Sequence, residues 1–220
     1  MMERRRAVMG LSGFPKEPAS YEIISTYTAE GTFVAPETGY FQIEVFGASG
    51  KGGAGKSYCT VVEYDAINYA ASGGGGGGGG YACSRVKMRE GDTMILVPGA
   101  VGSVSSVTVT SSVENYQAIE VASGANGTDA SGNVSSYKVG TGGAGGVAFG
   151  GNYANANGGN GGNGKKSGTA GGTGGAAGYT GGNAGGNGGY GQTNYVRKEA
   201  THAGSAGKAG FIRIYRGDTN

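Results

Sequence analysis

Tryptophan is absent from this chain, and phenylalanine (six), proline (four), cysteine (two) and histidine (one) are scarce. Ring area therefore comes mainly from 14 tyrosines, so any core is thin and partly built from rings that carry a hydroxyl. His202, the single histidine, has no cysteine or clustered acid near it in sequence, which leaves a zinc site or a histidine dyad without partners. Cys59 and Cys83, divided by eight glycines, do not make a disulfide framework and are compatible with synthesis in a reducing compartment. With 17 basic against 15 acidic residues, the net charge of +2 supplies no broad field to draw in nucleic acid or an anionic membrane. No stretch approaches a transmembrane helix in length, and residues 1–18 are too weakly apolar for a signal peptide. The reading is of a soluble protein that leaves the cell, if at all, by lysis.

What is abundant is glycine, 52 of 220 residues. Glycine disfavours helix interiors by about 1 kcal/mol relative to alanine, so the bulk of the chain is expected to be extended or turn-like. After a polar leader over residues 1–20, ending in Pro15-Lys16-Glu17-Pro18, short β-rich runs begin. They fall at 21–28, 31–34, 40–46, 81–88, 93–97, 104–110 and 116–121, with a last strand at 211–215. Within 40–46, Phe41, Ile43 and Val45 alternate with Gln42 and Glu44, the period of a half-buried strand. Glu90-Gly91-Asp92 reads as a turn. One domain over 21–220 follows, in which β runs bracket a glycine-rich insertion at about 140–210.

Within 140–191 glycines recur three apart, as in Gly140, Gly143 and Gly146; Gly172, Gly175 and Gly178; and Gly182, Gly185 and Gly188, with a later set at Gly204, Gly207 and Gly210. Three residues per turn is the period of a polyproline II-type helix, and a glycine-only edge lets such helices touch. Collagen is excluded by the missing prolines and by Ala148, which breaks a Gly-X-Y frame. A flexible linker is the usual fate of such composition. Here the interruptions at Val147, Phe149, Tyr153, Tyr179, Tyr190 and Tyr195, and the return to a strand, argue for packing as polyglycine II-type helices or ordered loops.

Two motifs imitate chemistry. Residues 50–57, with Gly50, Gly55, Lys56 and Ser57, satisfy the phosphate-cradling P-loop pattern after a strand. That chemistry needs a helix opening near Lys56 and a later strand ending in an acid. The β-branched and aromatic run after Ser57 and the glycines at 73–80 supply neither, so the match reads as a decoy. Gly158-Gly159-Asn160-Gly161-Gly162-Asn163 is similar to the calcium-binding repeats of β-roll toxins but lacks their aspartate and aliphatic positions. No cofactor, metal or catalytic residue is expected. Arg4, Arg5 and Arg6 fit a partner-docking arm. Tyr153, Tyr179, Tyr190 and Tyr195 fit either a sugar-stacking surface or plugs sealing glycine helices to a sheet.

Three blocks carry a family resemblance: Gly31-Thr32-Phe33-Val34-Ala35-Pro36-Glu37-Thr38-Gly39-Tyr40 leading to Ile43-Glu44-Val45-Phe46-Gly47-Ala48; the eight glycines followed by Tyr81-Ala82; and Glu90-Gly91-Asp92-Thr93 leading to Val97-Pro98-Gly99. With Ala209-Gly210-Phe211-Ile212-Arg213-Ile214 at the close, residues 21–217 resemble the glycine-rich domain of bacteriophage and prophage tail-fibre and adhesin proteins. The resemblance implies a jelly-roll-like β-sandwich with glycine-rich loops on a non-enzymatic virion protein, made in the host bacterial cytoplasm. The arm would dock to other virion proteins, oligomerisation as a homotrimer would add avidity, and a bacterial surface glycan or protein would be bound. A head-fibre or capsid-decoration role is the alternative, and a nucleotide-binding protein the more distant one.

Overall fold

Alternating apolar residues build the first layer. The computed structural model describes residues 14–62, 65–133, 136–166, 170–191 and 199–218, with backbone only for 59–62 and 65–68, and these contain fifteen strands and no helix. In chain order they are β1 (Tyr21–Tyr27), β2 (Gly31–Val34), β3 (Gly39–Phe46), β4 (Gly55–Val62), β5 (Asp65–Ala71), β6 (Tyr81–Met88), β7 (Thr93–Val97) and β8 (Ser105–Thr110). Then follow β9 (Ile119–Val121), β10 (Ser131–Asn133), β11 (Ser136–Lys138), β12 (Ala148–Phe149), β13 (Ala154–Ala156), β14 (Ala200–His202) and β15 (Phe211–Gly217).

Two five-stranded antiparallel sheets, β1-β15-β3-β6-β13 and β12-β9-β8-β7-β2, face each other as a sandwich. Phe41, Ile43 and Val45 of β3 and Ile212 and Ile214 of β15 are buried against Phe33, Met94, Leu96, Val107 and Ile119 of the other sheet. The half-buried alternation expected at 40–46 is thus the core seam. The turn at residues 90–91 is present, with Gly91 at φ 87°.

The run at 116–121 is strand only from Ile119. Tyr116 instead braces a neighbouring strand, where its hydroxyl accepts from the Lys87 amide at 2.7 Å and donates to Glu114 at 3.0 Å. β13 pairs with β6 only as far as Cys83. Beyond it the open edge of β6 is closed by side chains, Asn152 bonding both the amide and the carbonyl of Arg85, and Ser111 the carbonyl of Lys87. Such capping denies the edge to another strand.

A second layer has almost no side chains. Residues 73–80 join β5 to β6, and their backbone groups are bonded outward in rotation. The amides of Gly73, Gly76 and Gly79 donate to Gly189, Gly186 and Asn183; those of Gly74 and Gly77 to Thr128 and Ala125; those of Gly75 and Gly78 to Gly162 and Gly159. Their carbonyls accept from three further segments in the same rotation: from Gly53, Gly50 and Gly47, from Gly143 and Gly146, and from Gly172, Gly175 and Gly178. Six extended segments (47–54, 123–130, 140–146, 158–164, 171–178 and 182–189) therefore ring a central one, and each bonds to its neighbours around the ring. An eighth, 203–210, joins from outside through Ser205 and Lys208. A partner that changes with every residue and recurs every third is what three residues per turn produces.

Only glycine permits this spacing. A Cβ on Gly77 would stand 1.9 Å from the Ala144 carbonyl oxygen, and one on Gly75 1.9 Å from that of Thr173. The layer draws on more of the chain than the stretch at 140–210, because 47–54, 73–80 and 123–130 belong to it.

Candidate functional site at the far end of the glycine layer

The hydrogen-bond registers fix the direction of each segment. Residues 47–54, 123–130, 158–164 and 182–189 run away from the sandwich, while 73–80, 140–146, 171–178 and 203–210 run back towards it. Each outgoing segment is followed on the far side by described residues that precede a returning one: β4 and β5, β10 and β11, residues 165–166 and 170, and residues 190–191 and 199–202 with β14. β4 pairs with β5 and β14, and β10 with β11. Loops of any sequence can be carried there, because the layer beneath is bonded through backbone and is indifferent to them.

A layer without side chains can bury apolar area only at its two ends. At the sandwich end four of the eight segments begin or finish on an aromatic residue: Phe46 before 47–54, Tyr81 after 73–80, Tyr179 after 171–178 and Phe211 after 203–210. They stack in series, Tyr179 on Tyr81 at 4.2 Å, Tyr81 against Phe46 at 5.1 Å and Phe46 on Phe211 at 4.2 Å, with the Arg213 guanidinium over the last two. Beneath them Glu44 is buried and accepts from the Tyr81 hydroxyl at 2.9 Å and from that of Tyr215. Burial, reinforced by the Glu44 carboxylate, pushes the Tyr215 hydroxyl up to about 12 and raises Tyr81 further. Burial also pushes the Cys83 thiol up to about 11, so it is an inert core group.

At the far end Tyr58, Ala71 and Ala130 are buried with Tyr69, Tyr137 and Val139 against them. The Lys56 ammonium lies 5.8 Å from the Tyr58 ring centroid, and that of Lys166 5.3 Å from Tyr137. Tyr190, half exposed, stacks on His202 at 4.2 Å, and His202 Nε2 is 3.3 Å from the Ser57 hydroxyl.

The four tyrosines singled out from the sequence are therefore not one surface. Tyr179, half exposed, stacks on Tyr81 at the sandwich end. Tyr153 lies beside β13 with the Arg85 guanidinium 3.8 Å from its ring, and Tyr21 is on the same guanidinium at 4.9 Å. Tyr190 alone of the described three is at the far end, and Tyr195 lies outside the described residues. Arg4, Arg5 and Arg6 also lie outside them. The described part of the leader rests on the sandwich: Phe14 meets Tyr40 at 5.4 Å and Glu17 pairs with Arg85 at 3.3 Å.

The P-loop pattern loses its structural basis. Gly55, Lys56 and Ser57 open β4, where a phosphate site needs the amino end of a helix. The amides that would cradle phosphate are already used, Gly50 and Gly53 on Gly77 and Gly74, Gly52 on Ser205, and Lys51 on the Asn126 side chain. The calcium-like run is likewise explained. Asn157, Asn160 and Asn163 accept from the amides of Ala148, Gly145 and Gly142, and Asn126, Asp129 and Asn187 do the same for Lys51, Ala54 and Gly174. Among the described residues no group of three metal-ligating side chains occurs. Sequence reasoning missed these structural asparagines, although their spacing of three was the available signal. Of the cysteine pair, the Cys59 side chain lies outside the described residues.

A scan against protein-family models gives no match, and a search of curated proteins finds no significant relative.

Proposed function

We propose that this chain is a non-enzymatic structural protein of a bacteriophage virion that attaches the particle to its host. In this reading the eight glycine-rich segments are polyglycine II-type helices acting as a stiff spacer. The leader and sandwich dock to the particle, and the four far-side excursions meet a glycan or protein of the bacterial surface. One observation carries the reading: outgoing and returning segments alternate four times, so their connections gather at one end while the leader lies against the other. Such an arrangement separates the part that must stay constant from the part that must vary.

The test is competition. Purified protein added to host cells should block adsorption of the parent phage. Replacing Tyr190 and Lys166 by alanine should weaken the block at least several-fold, while Tyr153→Ala should leave it intact. Undiminished adsorption at saturating protein would overturn the reading, and antibody labelling of the head rather than the tail would favour capsid decoration instead.

A further inference from the structure

We infer that the five Asn-Gly pairs of the glycine layer are deamidation sites held shut by the fold, so that opening of the layer is converted into permanent damage. The pairs are Asn126-Gly127, Asn157-Gly158, Asn160-Gly161, Asn163-Gly164 and Asn187-Gly188, and all five glycines lie in outgoing segments. Asparagine followed by glycine is the dipeptide most prone to this reaction, because glycine has no Cβ to shield its own nitrogen. That nitrogen attacks the asparagine Cγ. The new N–Cγ bond closes a cyclic imide, the Cγ–Nδ2 bond breaks, and the amide proton leaves with Nδ2 as ammonia. Water then opens the ring at either carbonyl. One route gives aspartate, and the other gives a β-aspartyl linkage in which the backbone runs through the side chain.

Exposure alone predicts that every pair reacts, since all five asparagines are at the surface. Hydrogen bonding predicts the reverse. Oδ1 of Asn126, Asn157, Asn160, Asn163 and Asn187 accepts from the amides of Lys51, Ala148, Gly145, Gly142 and Gly174 at 2.8–3.1 Å. The attacking group, the amide of the following glycine, donates to the carbonyls of Lys51, Gly146, Gly143, Gly140 and Gly172 at 2.8–2.9 Å. Both reacting groups of each pair are therefore bonded to one neighbouring stretch of chain. Attack needs the amide to give up its proton and the Cβ to swing towards the nitrogen about the Cα–C bond. Extended backbone with three residues per turn holds the two apart, and bringing them together pulls the glycine off its carbonyl.

The two products differ in what they do to the layer. Asp129 already stands in the geometry of Asn126 one turn later, its Oδ1 accepting from the Ala54 amide at 2.7 Å while the Ala130 amide donates to the Ala54 carbonyl. A carboxylate therefore fits, and aspartate keeps the bond. A β-aspartyl linkage lengthens the backbone by one atom. After such a linkage at Asn157, Gly161 and Gly164 move off contacts that only glycine fills, where a Cβ would stand 2.1 and 2.0 Å from a carbonyl oxygen. The opened segment cannot pack again, and the layer is lost at a rate rather than held at an equilibrium.

The full chain, native in one arm and in concentrated guanidinium in the other, is held at about pH 8 and about 37 °C for several weeks. Peptide mass spectrometry, with fragmentation that separates β-aspartyl from aspartyl, reads each asparagine. The expected result is conversion at all five pairs in denaturant and conversion at least ~100-fold slower in the native chain. Gly77→Ala, which displaces residues 140–146, should raise conversion at Asn160 and Asn163 ahead of Asn126, whose partner is Lys51. If that variant does not fold, its pairs convert at the denatured rate and the two parent arms still decide. Asn160→Asp should keep the parent's melting temperature. Chains refolded after weeks in denaturant should lose recovery in proportion to their β-aspartyl content, against chains refolded after minutes. Native conversion within a few-fold of the denatured rate, in a chain that circular dichroism shows to be folded, would overturn the inference. A destabilised Asn160→Asp, or full recovery of β-aspartyl chains, would overturn its account of the damage. None of these outcomes bears on whether the far end binds a host.

Discussion

Replacing Gly77 by alanine adds one methyl group at the centre of the glycine layer. Its Cβ would stand 1.9 Å from the Ala144 carbonyl oxygen, where ordinary contact begins at 3.4 Å. Backbone blocks the way, so the segment 140–146 has to withdraw by about 1.5 Å rather than a side chain turning aside. The Gly143–Gly75 and Gly146–Gly78 hydrogen bonds, both 2.8 Å, then lengthen to about 4 Å and are lost. Each leaves a buried donor and acceptor unpaired at roughly 1–3 kcal/mol, so the variant should lose about 2–6 kcal/mol. For a chain of this size that is a fall in melting temperature of roughly 5–20 °C, if it folds at all. Gly39→Ala is the control, because a Cβ there meets nothing within 4 Å. Differential scanning fluorimetry or circular dichroism reads both. Equal melting of Gly77→Ala, Gly39→Ala and the parent would refute the reasoning.

Other outcomes follow from the same geometry. Asn163→Ala leaves the Gly142 amide to water and should cost about 0.5–1.5 kcal/mol by thermal melting, with no change on adding calcium. Tyr116 and Tyr215 are raised to about 12 by burial and Tyr81 higher, against about 10 in an unfolded chain. The protonated hydroxyls thus contribute stability that is complete below pH 10 and declines as pH rises towards 12. Absorbance at 295 nm should show a late-titrating class of tyrosines, and Tyr215→Phe should reduce it. Because the P-loop amides are engaged within the fold, ATP with magnesium should leave the melting temperature unchanged for the parent and for Lys56→Ala alike.

Legibility in the sequence followed side-chain information. β2, β6 and β7 lie where their runs predicted, since β-branched and aromatic residues there are bounded by glycine or turn signals. β4 and β5 carry no legible strand period, because the alternation beyond Ser57 is weak. β10 to β14, of two or three residues each, are too short to carry a period. The threefold glycine spacing at 140–146 and 172–178 marked real packing edges, each of those glycines donating into residues 72–79. What the spacing could not disclose was the centre. Residues 73–80 are glycine at every position because all their edges are in contact, and a run without variation has no readable period. The split of Tyr153, Tyr179 and Tyr190 between the two ends was also invisible, because the direction of each segment is set by long-range pairing.

Hydrogen exchange at the amides of residues 73–79 tests the central claim most directly. Every one of these groups donates to a neighbouring segment and is buried inside the ring. They should exchange only through global unfolding, at rates matching the slowest amides of β3 and β6. Exchange at the rate of an unstructured glycine peptide, with the sandwich still protected, would contradict the account.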